Sequence, residues 1–398
     1  MTREKYKITI TACFIGYIVQ AIINNFAPLL FITFQKSYNI PLSQITLLVT
    51  ANFLFQLFVD LMSAKLIDKI GYRTSMIIAH TCCAVGLISL TILPELFSSS
   101  FAGLLISVMI YALGGGILEV LVSPIVESCP TDNKEKAMSL LHSFYCWGHV
   151  GVVLISTAFF TVFGIENWKI LGIIWAIVPI VNAFIFAKVP IAPLIDEGEK
   201  GMKIKELTSN KLFIVLFVMM LCAGASEQAV SQWASTFAEQ GLGVSKTVGD
   251  LAGPLSFAAL MGLSRVFYGR YGEKIKLDKF MNLSCVLCII SYLLISLAQN
   301  PVINLIGCGL CGLSVGIMWP GSFSKAAALL KNGGTAMFAL LALAGDLGCA
   351  SGPTIAGMIS DACGGNLKIG ILCAIVFPVV LLLGVFLCKK ISRKKYSL

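Results

Sequence analysis

The chain has 398 residues, of which 57% are hydrophobic and only 12% are charged, and its formal net charge is +9. Soluble domains carry a charged fraction of about a quarter, so this composition excludes an ordinary soluble protein. A positive net charge indicates nucleic-acid binding only where the basic residues are grouped for it, and the distribution described below has another explanation.

Twelve apolar runs divide the chain, and each is long enough to cross a bilayer, which takes about 20 residues of helix. We number them spans 1 to 12, near residues 8–34, 44–66, 74–93, 100–125, 138–163, 168–188, 212–237, 248–269, 280–298, 302–326, 335–360 and 367–388. The sequence therefore predicts an all-α integral membrane protein with twelve transmembrane helices. The first run is too long for a signal-peptide core, so we expect no cleavable signal peptide.

The longest hydrophilic stretch, residues 190–211, lies between spans 6 and 7 and has the composition of a domain linker. Similar loop and motif residues recur in the two halves when the halves are compared at an offset of about 200 residues, which indicates a parallel internal repeat. We therefore predict two pseudo-symmetric six-helix bundles, at residues 1–189 and 212–398, joined by a cytoplasmic linker at 190–211.

Lysine and arginine are unevenly distributed over the loops between spans. If the N-terminus is cytoplasmic, all 29 of these residues lie on the cytoplasmic side or at its edge, except Arg265 within span 8 and the outer residues Lys36, Lys169, Lys246 and Lys368. This asymmetry is the positive-inside rule. It predicts a multi-pass protein of the cell (plasma or inner) membrane with both termini in the cytoplasm.

The loop between spans 2 and 3 reads Ala64-Lys-Leu-Ile-Asp68-Lys69-Ile-Gly71-Tyr72-Arg73, and a similar stretch follows span 8. It resembles the signature loop of the major facilitator superfamily, from which Ala64 and Tyr72 depart. The resemblance implies the major facilitator fold, in which two six-helix bundles rock about a central site. We expect a charged gating latch here, made of Asp68, Lys69, Gly71, Arg73, Arg265 and Arg270.

Polar motifs in spans 4, 5, 7 and 11 resemble the fucose:proton symporter-like branch of that superfamily. They are Glu119 in span 4, Leu141–Gly151 in span 5, Gly224–Trp233 in span 7 and Gly345–Pro353 in span 11. In that branch the span 4 glutamate is linked to proton coupling, which carries over to Glu119. An aspartate of span 1 does not carry over, because this chain has Asn24-Asn25 there and no acid.

Glu119 is the first candidate functional residue, because an ionised carboxylate at bilayer depth is costly and usually faces a polar cavity. Glycines 114 to 116 beside it allow a neighbouring helix to come close. The alternative is that Glu119 only ties two helices together. Three further residues are candidates for proton coupling, namely Asp346, Glu227 and His149.

Helical spacing groups polar residues into stripes that point away from lipid, among them Tyr17, Gln20 and Asn24 in span 1 and Asn52, Gln56 and Asp60 in span 2. The superfamily architecture implied by the resemblance puts spans 1, 4, 7 and 10 around the cavity. Carboxamides, carboxylates and a stacking indole suit a polyhydroxylated solute. The predicted substrate-binding residues are Gln20, Asn24, Asn25, Glu119, His142, Tyr145, Glu227, Gln228, Gln232, Trp233 and Trp319.

The sequence places four acids inside the membrane (Asp60, Glu119, Glu227 and Asp346) against the single base Arg265. This excess argues against an anionic substrate and suggests that some acids exchange protons during turnover. The 14 cysteines indicate packing residues in apolar helices, and Cys285-x-x-Cys288 and Cys308-x-x-Cys311 lack neighbouring histidine or carboxylate ligands. We predict no metal site and no cofactor.

We predict a proton-coupled symporter for a neutral sugar or similar small polar metabolite, with the substrate, protons and the lipid bilayer as its partners and no nucleic acid. The superfamily's usual arrangement implies a monomer. The alternative is a proton-coupled antiporter or exporter of organic cations or drugs, in which the acids pair with the cation and Trp233 and Trp319 stack on it. A membrane receptor or lipid scramblase is a third class. The chain has no catalytic motif or soluble catalytic domain, so we do not expect an enzyme.

Overall fold

The structure is a computed structural model of the chain. It describes residues 2–130, 134–191, 202, 204–271, 275–330 and 333–396. Within those ranges, the side chains of residues 2–4, 63–69, 127, 134–139, 269, 334–336 and 392–396 are not described. The described chain is helical almost throughout and contains no strand, in agreement with the predicted all-α class.

The chain forms two compact units, unit 1 at Met1–Asp196 and unit 2 at Glu197–Leu398. The boundary between them falls inside the hydrophilic stretch 190–211. The described residues contain 12 helices that are long and apolar enough to cross a membrane. The predicted fold class with twelve spans is therefore confirmed.

Unit 1 contains spans 1 to 6, which run over Lys5–Tyr38, Leu42–Met62, Tyr72–Leu96, Ser100–Val126, Leu140–Phe163 and Ile165–Lys188. Span 1 is interrupted, because its first helix ends at Asn25 and Ala27–Leu30 form a 3-10 turn before a second helix begins at Phe31. The helix of span 2 extends to Ile70. Gly71 then reverses the chain with φ 86°, a conformation that glycine adopts without strain, and span 3 begins at Tyr72.

Three consecutive glycines bring span 4 against three neighbouring helices of unit 1. A Cβ atom on Gly114 would lie 2.3 Å from Ala79 O in span 3, and one on Gly115 would lie 2.7 Å from the Ile23 side chain in span 1. A Cβ atom on Gly116 would lie 2.9 Å from the backbone of span 2. The glycines thus let span 4 approach spans 1, 2 and 3 closely, and Glu119 follows three residues later.

Unit 2 contains spans 7 to 12, which run over Lys211–Gly241, Lys246–Tyr268, Leu277–Leu297, Pro301–Leu329, Met337–Ala362 and Leu367–Ile391. Span 7 is helical to Ser231, breaks at residues 232–233 and continues into a π-helical turn at Phe237–Gly241. Span 8 has a π-helical turn at Leu251–Leu255. Span 10 breaks at residues 316–317, between the helices Pro301–Val315 and Met318–Leu329. These breaks free backbone groups within the membrane-spanning length, where side chains must satisfy them.

Spans 7 and 11 pack backbone to backbone in unit 2. A Cβ atom on Gly348 would lie 1.9 Å from Leu221 O, and one on Gly352 would lie 2.4 Å from Ala225 O. On the facing helix, a Cβ atom on Gly224 would lie 2.2 Å from Gly345 O. Such contacts between small residues are a usual way for membrane helices to associate.

Candidate functional site

Two hydrogen bonds between side chains join spans 1 and 4 around Glu119. The amide nitrogen of Gln20 donates to Glu119 Oε2 over 2.8 Å. One turn along each helix, the hydroxyls of Tyr17 and Ser123 lie 3.0 Å apart. Gln20 is 4% exposed. Tyr17 and Gln20 of the stripe predicted on span 1 therefore face span 4, and the Glu119 carboxylate is held from span 1.

A cluster of three carboxamides lies between spans 1 and 2. The Asn24 side-chain oxygen accepts from Asn52 Nδ2 over 3.0 Å and from Gln56 Nε2 over 2.9 Å. Gln56 Nε2 also donates to the side-chain oxygen of Asn52 over 2.9 Å. All three residues are at most 5% exposed. We call Asn24, Asn52 and Gln56 the amide cluster; Asn52 and Gln56 belong to the stripe predicted on span 2.

Asp60 lies one turn beyond Gln56 on span 2 and brings a second carboxylate toward Glu119. Carboxylate oxygens of Asp60 and Glu119 lie within 4.8 Å of each other. Both residues are half-buried. Two carboxyl groups at this separation cannot both be ionised at low cost without a nearby cation, because like charges repel strongly in a medium of low dielectric constant.

The other predicted residues of unit 1 lie in different surroundings. Asn25 donates from its side chain to Ala21 O of its own helix over 2.9 Å. The His142 ring is exposed and lies 5.5 Å from the Tyr17 ring, centroid to centroid. Tyr145 is half-buried, whereas His149 is 2% exposed. The substrate and proton-coupling roles assigned to these four residues stay predictions.

A polar chain in unit 2 runs from span 8 along span 7 to its break. Arg265 Nη2 lies 3.6 Å from Glu227 Oε2. Gln228 Nε2 donates to Glu227 Oε1 over 3.2 Å, and Gln232 Nε2 donates to Gln228 Oε1 over 3.0 Å. Arg265 Nε also donates to the carbonyl oxygen of Gly316 over 3.3 Å. Arg265 therefore contacts two features of unit 2. One is the row of polar side chains that leads to the break in span 7, and the other is the break in span 10.

The two tryptophans predicted to stack on substrate pack within unit 2. Trp233 is fully buried, and its Nε1–H donates to Pro353 O over 2.9 Å. Trp319 is half-buried, and a Cβ atom on Gly345 would lie 2.2 Å from its ring. Asp346, the neighbour of Gly345, is 8% exposed. The Trp233 indole thus has its only hydrogen-bond donor engaged by the backbone of span 11.

Asp250 in span 8 is a further buried acid that the sequence analysis did not name. It is 1% exposed, lies 3.0 Å from Lys246 Nζ and accepts a hydrogen bond from the Ser235 hydroxyl. Lys325 is also buried and pairs with Asp278, so Arg265 is not the only base that meets an acid in unit 2. The signal available in the sequence was the position of Asp250 four residues after Lys246, which lets one helix face carry both.

Two results decide which family the chain belongs to and which fold it has. A sequence profile of the Major Facilitator Superfamily matches residues 11–353. The chain belongs to this superfamily. A comparison with curated protein sequences gives no match. The resemblance inferred from the signature loop is therefore confirmed at the level of the family, and the chain is a multi-pass membrane transporter of the Major Facilitator Superfamily.

Solved structures of superfamily members are similar over nearly the whole chain. A bacterial homologue of the human lysosomal transporter Spinster, inward-facing and occupied, has a TM-score of 0.76 at 15% identity and covers 98% of this chain and 97% of its own. A variant of the E. coli fucose:proton symporter has a TM-score of 0.67 at 15% identity, with coverage of 96% and 99%. A D-xylose–proton symporter has 0.74 at 11% identity, with coverage of 93% and 96%. At these identities the likeness shows the major facilitator fold.

The signature loop of the superfamily is described in part. Arg73 Nη1 donates to Phe186 O over 2.9 Å and to Ala187 O over 2.8 Å, so its guanidinium satisfies carbonyl groups at the last turn of span 6. Arg270 lies against the Tyr271 ring, 5.9 Å from its centroid. The side chains of Asp68 and Lys69 lie outside the described residues, as do Gly272 and Lys274 in the matching loop. The latch stays a prediction.

The two cysteine pairs that imitate metal-ligand spacing lie in spans 9 and 10. Cys285, Cys288, Cys308 and Cys311 are all buried and carry free thiols. They occupy helices that pack against each other, which agrees with their interpretation as small packing residues.

Proposed function

We propose that this superfamily member is a proton-coupled symporter of a neutral sugar or a similar small polar metabolite, working by alternating access. The observation that carries the proposal is the hydrogen bond of 2.8 Å from Gln20 to the Glu119 carboxylate in the interior of unit 1. The E. coli fucose:proton symporter and the D-xylose–proton symporter, both similar in fold, support symport over the export of organic cations.

The chemistry of the polar side chains supports a neutral, hydroxylated substrate. The amide cluster and the Gln20–Glu119 pair supply both donors and acceptors within one unit. In unit 2, Gln228 and Gln232 add two further amides along span 7. Sugar hydroxyls donate and accept, and amides and carboxylates can meet both needs. Glu227 compensates the positive charge of Arg265, so this pair offers no excess positive charge that would favour an anionic substrate.

Coupling follows from the cost of a charge at this depth. An ionised Glu119 is expensive away from water, so loading it with a proton makes the carrier easier to move through its cycle. If the substrate binds better to the protonated carrier, the proton binds better to the substrate-loaded carrier, because linkage is reciprocal. A proton gradient then drives accumulation of the substrate.

The proposal also covers placement in the cell. The chain acts as a monomer in the plasma or inner membrane, with both termini in the cytoplasm. The uneven distribution of lysine and arginine supports this orientation, and the latch residues of the loop between spans 2 and 3 then lie on the cytoplasmic side.

The test replaces the carboxylate of Glu119 by an amide of the same shape. A substrate is first identified from neutral sugars and polyols by thermal stabilisation of the purified protein, which detects binding without assuming a direction of flux. Reconstituted wild-type protein should accumulate that substrate when an inward proton gradient is imposed. Glu119→Gln should equilibrate and exchange the substrate but should not accumulate it.

The matched control is Glu95→Gln, which makes the same change at a carboxylate that is exposed and pairs with Lys169 at the end of span 3. It should accumulate substrate as the wild type does. Full gradient-driven accumulation by Glu119→Gln would contradict proton coupling through Glu119, and stabilisation by organic cations alone would transfer the assignment to the antiporter.

A further inference from the structure

We propose that Lys389, Lys390 and the basic residues that follow them at the end of span 12 form a binding surface for the headgroups of anionic phospholipids. We call the basic residues of positions 389–395 the basic end of span 12. They lie outside the residues assigned to substrate, proton or latch. The inference goes beyond the proposed function and does not depend on it, because it holds whichever solute the protein carries.

The first observation is the density of positive charge in one short helical stretch. No acid follows Asp361 in the sequence up to Leu398, so the stretch contains no carboxylate side chain of its own. The helix that begins at Val376 continues through the stretch to Tyr396, so the basic positions are fixed on the end of the span rather than on a loop. The basic residues are Lys389, Lys390, Arg393, Lys394 and Lys395.

The second observation is that the basic end continues the lipid-facing side of span 12. Phe386 and Leu387 are 54% and 47% exposed, and exposed apolar side chains of a membrane-spanning helix contact lipid. Val385 and Cys388, on the opposite side of the helix, are buried within unit 2. Positions three and four apart share a helix face, so Lys390 lies on the side of Phe386 and Leu387, and it is exposed. The charge therefore belongs to the side that meets lipid and not to the side that packs against the protein.

The position of Lys390 along the helix matches the depth of lipid headgroups. Lys390 follows Phe386 by four residues, which corresponds to about 6 Å along the helix axis. The headgroup region on each side of the hydrocarbon is about 5–8 Å thick. A lysine stem can also stay against apolar surface while its ammonium group reaches a polar one. A lipid whose acyl chain lies against Phe386 therefore has its phosphate within reach of Lys390.

The start of span 7 adds positive charge at the same end of unit 2. Because the six spans of unit 2 cross in alternating directions, span 12 ends on the side on which span 7 begins. The two spans are in contact, since Cys388 Sγ lies 3.6 Å from Met219 Sδ. Lys205 and Lys211 are exposed before and at the first turn of span 7, and the exposed acid Glu206 offsets one of these two charges. The basic end of span 12 thus has a basic neighbour.

These positions favour a lipid over other anionic partners. Basic residues next to a membrane span are attracted to anionic headgroups. A nucleic acid offers phosphate groups too, but it binds surfaces that face water, whereas Lys390 continues a face that is apolar as far as Leu387. The positive-inside rule concerns the side of the membrane on which basic residues lie. It does not require them to follow the lipid-facing side of one helix.

The inference is tested by thermal unfolding of the purified full chain in detergent with added phospholipids of identical acyl chains. Phosphatidylglycerol, which carries a net negative charge, should raise the melting temperature in a saturable manner by mass action, and zwitterionic phosphatidylcholine should raise it less. The difference should shrink as salt is added, because salt screens the attraction. Equal effects of the two lipids would overturn the inference. So would free glycerol phosphate or a short RNA that stabilises the protein as strongly as phosphatidylglycerol.

Variants then connect the effect to the basic end. A double variant with Lys389→Gln and Lys390→Gln should need roughly 10- to 30-fold more phosphatidylglycerol for a half-maximal shift. The matched control is Lys276→Gln with Lys279→Gln, two exposed lysines at the start of span 9 that flank Asp278. It should change this concentration by no more than about twofold, and equal losses in both double variants would refute the surface. Should the first variant fail to fold, native mass spectrometry of the wild type decides. Phosphatidylglycerol should then stay bound in preference to phosphatidylcholine from an equal mixture, and no preference would refute the surface.

Discussion

Arg265 is the residue through which span 8 contacts the broken parts of unit 2. Its guanidinium lies 3.6 Å from the Glu227 carboxylate and donates to Gly316 O at the break in span 10. Both side chains are mostly buried, with 19% and 10% of their surface exposed. We infer that each charge is tolerated because the other compensates it.

This pairing predicts a specific pattern of stability in a double-mutant cycle. Removing one member of a buried ion pair typically costs about 3–5 kcal/mol, because the remaining charge stays buried without a counter-ion, whereas removing both costs far less. Glu227→Gln and Arg265→Gln should each lower the melting temperature strongly, and the double variant should recover much of the loss. Thermal unfolding of the four proteins measures the coupling.

The exposed pair Glu95–Lys169 offers a matched control in the same chain, with side-chain exposures of 58% and 33%. Its single variants should change stability by less than about 1 kcal/mol, because solvent screens exposed pairs. If the losses at Glu227 and Arg265 simply add in the double variant, the two charges act separately and the pairing argument is wrong.

Span 1 shows how much about single residues could be predicted from the sequence, namely their face on the helix but not their partners. Helical spacing placed Tyr17, Gln20 and Asn24 on one polar face, and all three side chains do make polar contacts with spans 2 or 4. The spacing could not give their partners, because it fixes directions around one helix and not distances between helices. For the same reason, helical spacing could not predict that Asp60 lies close to Glu119.

Spans 7 and 11 show at the scale of helices how glycine positions control packing. Their backbones touch at Gly348, where a Cβ atom would lie 1.9 Å from Leu221 O. Neither helix can shift away from the other at this point alone, because Gly224 and Gly352 make similar close contacts one or two turns away. The segment Gly345–Pro353 was recognised from sequence as a motif, and the structure adds which helix it meets.

Gly348→Ala should therefore destabilise unit 2. The added methyl group must push the two helices apart, and overpacking of this kind costs about 1–3 kcal/mol. The matched control is Gly151→Ala in span 5, where a Cβ atom meets nothing within 4 Å. There, alanine should be neutral or stabilising, because it favours the helix by about 1 kcal/mol over glycine. Melting temperatures of the two variants test this, and equal values would contradict it.

The breaks inside spans 7, 8 and 10 were not predictable from apolar periodicity. Each break lies within an apolar run long enough to indicate one helix, although Pro254 in span 8 and Gly316 in span 10 are residues that disfavour a regular helix. The interruption becomes intelligible only with its tertiary partners, such as Arg265 at Gly316 O and Trp233 at Pro353 O. Trp233 shows the same dependence on tertiary partners, because its indole joins spans 7 and 11 through Pro353 O. Its assignment to substrate binding stays a prediction.

At the scale of the whole molecule, hydropathy predicted the number of spans, and it predicted their limits to within four residues. Span 7 was predicted near 212–237 and runs over Lys211–Gly241; span 8 was predicted near 248–269 and runs over Lys246–Tyr268. The signal is strong because lipid requires about 20 apolar residues in every crossing, whatever they pack against. Orientation across the membrane depends on a weaker signal, the placement of charges in short loops.

That orientation is open to direct measurement in intact bacterial cells. Because lysine and arginine cluster in the loops assigned to the cytoplasm, the C-terminus should remain inside. A green fluorescent protein fused after Leu398 should therefore fluoresce, whereas alkaline phosphatase at the same position should be inactive, since it folds only outside the cytoplasm. The matched control is a pair of fusions truncated after Gly164, between spans 5 and 6, where the two reporters should behave in the opposite way. Active phosphatase after Leu398 would invert the topology and move the latch residues Gly71 and Arg73 to the outer face.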